Sequence, residues 1–431
     1  MTMRIAVVYD YGAVAPAEIV DSLRGVAEPL FVLPRNGHTL RLRPILERLG
    51  ECLWLEDGGP ADVQRVCESR VDGAVTFSDA WLEFTAVTTA ALGSAGHDMS
   101  TTRRLTDKLE QRRALGRAGV ESIRFAEFSD AREWRSVVEQ VGLPLVLKPR
   151  RGVASRDTYL VTDPQAGATL ASSLRSDEAR GGSFIAEEFL AGPDMGPFGD
   201  FVSVESAVYD GLPHHIAVTG KFPLAPPFRE TGHFWPTALG EEMSEQVIAL
   251  TDASFRALGV RFGILHTEIK LCPDGPRVIE VNGRLGGRIQ ALSRVAGGPD
   301  LIAVAARIAL GEEPQLPALS HEAVVFAAIT PAPVDACTIT SLPERQAVLA
   351  LPGVEEYAQF ARVGDYRAAG VSTTALDQAV GRVRDHEVLV ETIARLRSHT
   401  MYGLEFEAGA RVLAGRELVC GEQGTQITVP E

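Results

Sequence analysis

Paired cysteines, excess positive charge, long apolar runs and glycine-rich nucleotide motifs are all missing from this 431-residue chain. Its five cysteines (Cys52, Cys67, Cys272, Cys337 and Cys420) are odd in number, far apart and without a CxxC pair. That pattern argues against a disulfide framework or a thiolate zinc site and for free thiols in a reducing compartment. Lys and Arg number 42 against 57 Asp and Glu, a net charge of −15. Such a field repels phosphate backbones and anionic lipid, so a nucleic-acid or membrane partner is not expected, although a small anionic ligand needs only a few local cations. The longest apolar stretches, such as Leu301–Leu310, fall short of the roughly 18 residues of a membrane span. RIAVVYD follows the start of the chain without the apolar run and small-residue site of a signal peptide, and the expected location is cytoplasmic. No GxxxxGK[ST] loop occurs, and no GxGxxG follows an early strand, which removes most support for P-loop and dinucleotide folds. No fixed-period repeat or low-complexity tract stands out.

The length predicts several domains, and a composition of 45% hydrophobic with 23% charged residues is that of a globular chain. Short apolar runs (Ile5–Tyr9, Leu30–Leu33, Leu53–Leu55, Ala74–Phe77) alternate with helix-period segments, so residues 1–100 read as a parallel α/β domain. GSAGHDMST then breaks the pattern, and Thr102–Ala118 reads as one helix closed by Gly119. Residues 101–190 form a compact α+β unit. Residues 191–330 hold a strand pair, a Pro-rich loop over Phe222–Pro236, a helix over Glu241–Leu258 and a hairpin over Phe262–Val281. Residues 331–431 read as a smaller α+β lobe without any chemical clustering. The fold class is thus a multi-domain combination of α/β and α+β.

The hairpin FGILHTEIKLCPDGPRVIEVNGRLGGR is the most informative stretch. Two β-rich runs flank CPDGP, a turn signal, and pairing centred on Asp274 puts Glu268 across from Glu280. Alternation along the strand places Asn282 on the face of Glu280. Facing carboxylates repel, and a hard divalent cation such as Mg²⁺ offsets this with oxygen ligands. The alternative is an exposed face on which Lys270 and neighbouring arginines neutralise the acids. Arg284 and Arg288, around Gly286–Gly287, would be cations able to clamp a carboxylate or a transferring phosphoryl group.

LVLKPRRGVASRDTYLV sets Lys148 at the end of an apolar strand, before a basic loop with Gly152 and Ser155. Its backbone N–H groups could face phosphate; an ordinary hairpin with a solvated basic tip is the alternative. In SFIAEEFLAGPD, Glu187, the Glu188–Leu190 backbone and Asp194 could serve an adenine edge and a ribose.

Taken in order, Lys108, KPRRGVAS, EEFLAGPD and the Glu268…Glu280-x-Asn282 hairpin resemble the ATP-grasp superfamily, from the N-terminus to about Leu310. The resemblance implies ATP clamped between two α+β lobes, with a parallel α/β domain before them and an α+β extension after. It implies Lys108 and Lys148 on phosphates, Glu187 on adenine, and the backbone of Glu188, Phe189 and Leu190 on its edge. Asp194 would take the ribose, with Asp200 and Glu205 as rivals, and Glu268, Glu280 and Asn282 would take Mg²⁺, or Mn²⁺ in its place. VTGKFPLAPPFRETGHFWPTAL is similar to carboxylate–amine ligases that make dipeptides and related amides. There Lys221 would lie near the phosphates, Glu230 and His233 would line the amino-acid site, and Arg284 would hold the substrate carboxylate or its acyl phosphate. The loop after Lys148 departs from the family's pattern, with one glycine and with Arg156 and Asp157 after the serine. The activity so implied is ATP-dependent amide formation through an acyl phosphate, with Arg284, Arg288, His233 and Glu230 acting on small carboxylate and amine substrates, amino acids above all. A homodimer is also in keeping with the resemblance. Two rivals are an ATP-grasp carboxylase of the biotin-carboxylase or purine-pathway type and a non-catalytic nucleotide-binding regulator.

Overall fold

A computed structural model describes residues 3–174, 183–317, 319 and 322–420. All candidate site residues lie within it; the last part of the 331–431 segment, residues 421–431, lies outside the described residues. Among the described residues no helix is long and apolar enough to cross a membrane.

Four runs rich in branched residues, Arg4–Val8, Glu28–Leu33, Glu51–Trp54 and Gly73–Thr76, form a parallel sheet in the order third, second, first, fourth. Ile5, Ala6, Val7 and Val8 are fully buried because helices cover both faces, as a parallel sheet requires. The strand order reverses around the first strand, and the carboxyl ends there carry Asp10, Tyr11 and Asp79, where open α/β sheets take ligands.

The single helix expected over Thr102–Ala118 is two, Met99–Thr106 and Lys108–Arg117. The break is at Asp107, whose backbone is extended and whose carboxylate accepts from the N–H groups of Leu109 and Glu110. A capping acid thus restarts the helix one residue before Lys108 and sets that lysine in its first turn. The central unit is a four-stranded antiparallel sheet of Phe125–Phe128, Phe184–Glu188, Leu145–Pro149 and Tyr159–Val161, in that spatial order.

The largest sheet has eight strands, and its order runs Gly275–Asn282, Gly263–Cys272, Phe201–Tyr209, Leu212–Lys221, Gly232–Trp235, Val324–Pro331, Ala375–Val383, Val354–Gln359. The Pro-rich segment expected to be loop as far as Pro236 is therefore strand in its last third. Gly232–Trp235 is stitched between two neighbours, with Lys221 directly opposite His233. Three later strands, Val324–Pro331, Ala375–Val383 and Val354–Gln359, continue the sheet that holds the acidic hairpin. A separate sheet of Tyr366–Arg367, Cys337–Ser341, Met401–Phe406 and Gly409–Ala414 packs beyond it.

In the hairpin Glu268 does pair with Glu280. The reason differs from a turn centred on Asp274: Cys272 pairs with Gly275, so the turn is the two residues Pro273 and Asp274, and a bulge after Glu268 shifts the register by one. The bulge leaves Ile279 without an opposite partner and brings the two acids into line, with His266 opposite Asn282.

Candidate active site

The acidic pair lies between two cations. Lys108 Nζ donates to Glu280 Oε1 at 2.7 Å and to the Gly152 carbonyl at 3.1 Å, so it links the hairpin to the basic loop. His266 Nε2 stands 3.3 Å from Glu268, while its Nδ1 is 2.9 Å from Oε2 of the fully buried Glu205. Burial opposes the imidazolium, but the Glu205 carboxylate outweighs it and raises His266 to about 9. The opposing pull of burial on Glu268 is likewise overcome, chiefly by its hydrogen bond from His266, and its carboxyl is held below the usual range. Lys270, which the alternative to a metal would set against the acids, turns to Asp200 at 2.6 Å. Gly286 is required behind this arrangement, because a Cβ there would come within 2.5 Å of His266 Nδ1.

Arg284 donates through Nε to Asp79 at 2.8 Å, which ties the hairpin's end to the carboxyl edge of the parallel sheet. No cluster of three or more His, Cys, Asp or Glu side chains forms a closed metal site among the described residues. Two carboxylates and the amide of Asn282 are what the hairpin supplies, an all-oxygen set suited to a hard cation that keeps water or substrate phosphate as further ligands.

Lys148 and Glu187 form a buried triad with Arg112. Arg112 grips Glu187 through Nε at 2.9 Å and through a terminal nitrogen at 3.1 Å, and Lys148 Nζ is 2.8 Å away. Burial would raise the Glu187 carboxyl, yet the two cations bring it down to about 2. Three donors occupy a carboxylate with about four acceptor sites, which leaves room for one more. Beyond it, the N–H groups of Glu188 and Phe189 donate to the carbonyls of Arg124 and Pro144. That of Leu190 has no partner among the described residues. Asp194 is exposed and caps Gly196, whereas Asp200 is taken by Lys270. Glu205, enclosed by Ser203, Thr219 and His266, has no access to a ribose.

The basic loop holds three non-glycine residues in the left-handed region, Ala154, Ser155 and Asp157, at φ of 55°, 53° and 52°. Such backbone persists only where surroundings enforce it. Here the Asp157 N–H donates to Val371 O at 3.0 Å and the Thr373 N–H to Ala154 O at 2.7 Å. The Ser155 hydroxyl donates to Phe228 O at 2.7 Å, so it is engaged with the Pro-rich segment.

That segment ends at the second charged group. Lys221 Nζ donates to Glu230 Oε1 at 3.2 Å and lies 5.6 Å over the Phe201 ring. Against the effect of burial, Lys221 above all, with His266 and Arg288, holds the Glu230 carboxyl below its usual range. His233 is pushed well below its ordinary value by burial and by Lys221, so it is neutral, and neither ring nitrogen has a hydrogen-bond partner among the described residues. The Glu230 N–H donates to Thr373 Oγ1 at 3.2 Å.

The expected residues thus converge as two joined groups: Lys108, Lys148, Glu187, Glu268, Glu280, Asn282 and Arg284, then Lys221, Glu230, His233 and Arg288. Four side chains that matter were missed. Arg112 lies one helical turn past Lys108, and His266 faces Asn282 by the same alternation that placed Asn282; both were within reach of periodicity. Asp79 and Thr373 lie far away in sequence and had no local signal.

Residues 141–291 match the family model of the ATP-grasp domain. Alanine–anticapsin ligase of Bacillus subtilis is 30% identical over 211 residues, 46% of this chain and 44% of that protein. Carnosine synthase 1 of Gallus gallus is 39% identical over 93 residues, 21% of this chain and 10% of that protein. The chain thus spans less than half the length of either relative. The crystal structure of L-amino acid ligase from Bacillus licheniformis superposes with a TM-score of 0.75 at 20% identity, over 93% of this chain and 98% of that one. Residues 141–291 are thus an ATP-grasp domain, and the fold of the L-amino acid ligase is shared along nearly the whole chain.

Proposed function

We propose that the protein is an ATP-dependent carboxylate–amine ligase, which forms an amide bond through an acyl phosphate and releases ADP and phosphate. The observation that carries the reading is the cross-strand pair Glu268 and Glu280, with Asn282 and Arg284 following on the same hairpin and the ammonium of Lys108 against it. The hard oxygen donors of this set fit Mg²⁺ or Mn²⁺, which when bound would neutralise the two acids and the phosphate oxygens of ATP. Lys108 and Lys148 contribute charge to the phosphates, beside the N–H groups of the basic loop. Glu187 keeps one acceptor for the adenine amino group, Leu190 offers its N–H to the base edge, and Asp194 offers the ribose the carboxylate oxygen that does not cap Gly196.

Phosphoryl transfer asks chiefly for position and charge. The substrate carboxylate attacks the γ-phosphorus and ADP leaves; Arg284, on its tether to Asp79, holds the carboxylate and then the acyl phosphate. The amine nitrogen then attacks the acyl carbon, phosphate leaves, and a proton must depart from nitrogen. His233, neutral and with neither nitrogen hydrogen-bonded among the described residues, is the base in this reading, and those two features support it. Glu230 takes a substrate ammonium. The names of the relatives, alanine–anticapsin ligase, carnosine synthase and L-amino acid ligase, support amino acids as the substrates. The reaction belongs in the cytoplasm with its ATP, and a homodimer accords with the family.

The test is incubation with ATP, Mg²⁺ and pairs of amino acids, with phosphate and the amide product both measured. Amide and phosphate in equal amounts are expected, and Glu280→Gln should remove turnover while the thermal midpoint is kept. Turnover that needs bicarbonate would reject the ligase for a carboxylase, and nucleotide binding without turnover for any pair would reject it for a regulator.

A further inference from the structure

The cations of the cleft are spoken for, with one exception. Lys108 is paired with Glu280, Arg112 and Lys148 with Glu187, Arg284 with Asp79, Lys270 with Asp200 and Lys221 with Glu230. The Arg288 guanidinium makes no ion pair or hydrogen bond with any described residue, although the residue is only partly exposed and its Nε is buried without a partner. Its backbone is also in the left-handed region, at φ 68°, as it leads into the helix Ile289–Val295. Glycine or asparagine suits such a position better, so the residue costs stability on two counts that the fold does not recover. Groups kept at such a cost serve ligands more often than packing.

Its surroundings say which ligand. The carboxylate that acts on Arg288 is Glu230. Those that act on Arg284 are Asp79, Glu280 and Glu268. Arg284 is thus the guanidinium beside the acidic pair, and Arg288 the one beside the ammonium site. Lys221 already neutralises Glu230, and His233 adds no charge, so this end of the cleft keeps one positive charge in excess. A guanidinium's planar fork matches a carboxylate in two parallel hydrogen bonds.

From these observations, and resting on the ligase reading, we infer that the substrate to be activated is an amino-dicarboxylic acid. Its ammonium lies on Glu230, one carboxylate goes to Arg284 for phosphorylation, and the second is held by Arg288. Arg288 is then a specificity determinant. It supplies no proton and takes no part in the bond changes.

The experiment compares glutamate with glutamine, and aspartate with asparagine, as the activated substrate in wild type, Arg288→Gln and Arg288→Lys. A site built around a buried charge rejects the neutral isostere strongly, so wild type should prefer the diacid by about 10²-fold or more in kcat/KM. In Arg288→Gln that ratio should fall to within about threefold, with KM for the diacid moving more than KM for ATP, and Arg288→Lys should restore part of the preference. Equal use of diacid and monoamide by wild type would overturn the inference. So would a loss in Arg288→Gln that is alike for both, or one that appears only when the nucleophile amino acid is replaced by its decarboxylated amine. Equilibrium binding of the same four amino acids, with ADP and Mg²⁺ present, separates this from the ligase reading. Without amide from any pair the ligase reading fails, and the diacid's tighter binding, lost in Arg288→Gln, still upholds Arg288; equal binding of acid and amide removes it.

Discussion

Glu187, Arg112 and Lys148 show how the cleft tolerates buried charge. Glu187 alone would be protonated by desolvation, and Lys148 is pushed down by burial, with the nearby charges of Arg112 and Lys108 adding to it; bound to one another, the carboxylate and the two cations remain ionised. The folded carboxyl titrates at about 2 against an ordinary 4.5, so the triad contributes its full stability above about 4.5 and loses it as pH falls through about 2. Glu187→Gln leaves two buried cations facing an amide, and removing one partner of such a set costs about 3–5 kcal/mol. At neutral pH the thermal midpoint of Glu187→Gln should therefore lie well below wild type. The gap should narrow as pH is lowered from 4.5 to 2, because wild type alone loses the carboxylate; a gap independent of pH across that window would refute the assignment.

At the scale of elements, the basic loop depends on a partner from the far end of the chain. Val371 and Thr373 hold Asp157 and Ala154 in left-handed backbone, and the Thr373 hydroxyl accepts from the N–H of Glu230. One short segment thus braces both the loop beside Lys148 and the residue proposed to take the ammonium. Thr373→Val keeps the backbone bonds and removes the acceptor, at a cost on the order of 1 kcal/mol or about fivefold in affinity. Steady-state kinetics should show KM for the ammonium-bearing substrate rising by about that factor with KM for ATP nearly constant; equal rises in both would place the effect in the loop instead. This bracing also marks the limit of sequence reading. The hairpin, its facing acids and the Lys148 strand were legible because alternation and turn chemistry are local. The break at Asp107, the strand Gly232–Trp235 and the bulge after Glu268 were not, since a cap, a neighbouring strand and a register shift override local pattern. Asp79 and Thr373 reach the site only through tertiary pairing, which no window of sequence contains.

For the whole molecule, the matched domain at 141–291 shares its sheet with strands that lie outside the match. The strand carrying His233 pairs on one side with Leu212–Lys221 and on the other with Val324–Pro331, and Ala375–Val383 continues the same sheet. A chain ended at Gly311 keeps every proposed site residue yet loses the neighbour of Gly232–Trp235 and the brace at Thr373. Phe326, Ala379 and Tyr357 share a buried core with Phe222 and Phe234, so the cut bares the apolar surface of those two residues and an unpaired strand edge together. The truncated protein should express as aggregate or, if recovered, show no cooperative unfolding and no thermal shift with ATP and Mg²⁺. Parallel melts of the full chain, whose midpoint should rise with the nucleotide, provide the control. A soluble truncated protein that still shifts with ATP would mean that the strands after Val324 only lengthen the sheet, and that Gly232–Trp235 keeps its place through Leu212–Lys221 alone.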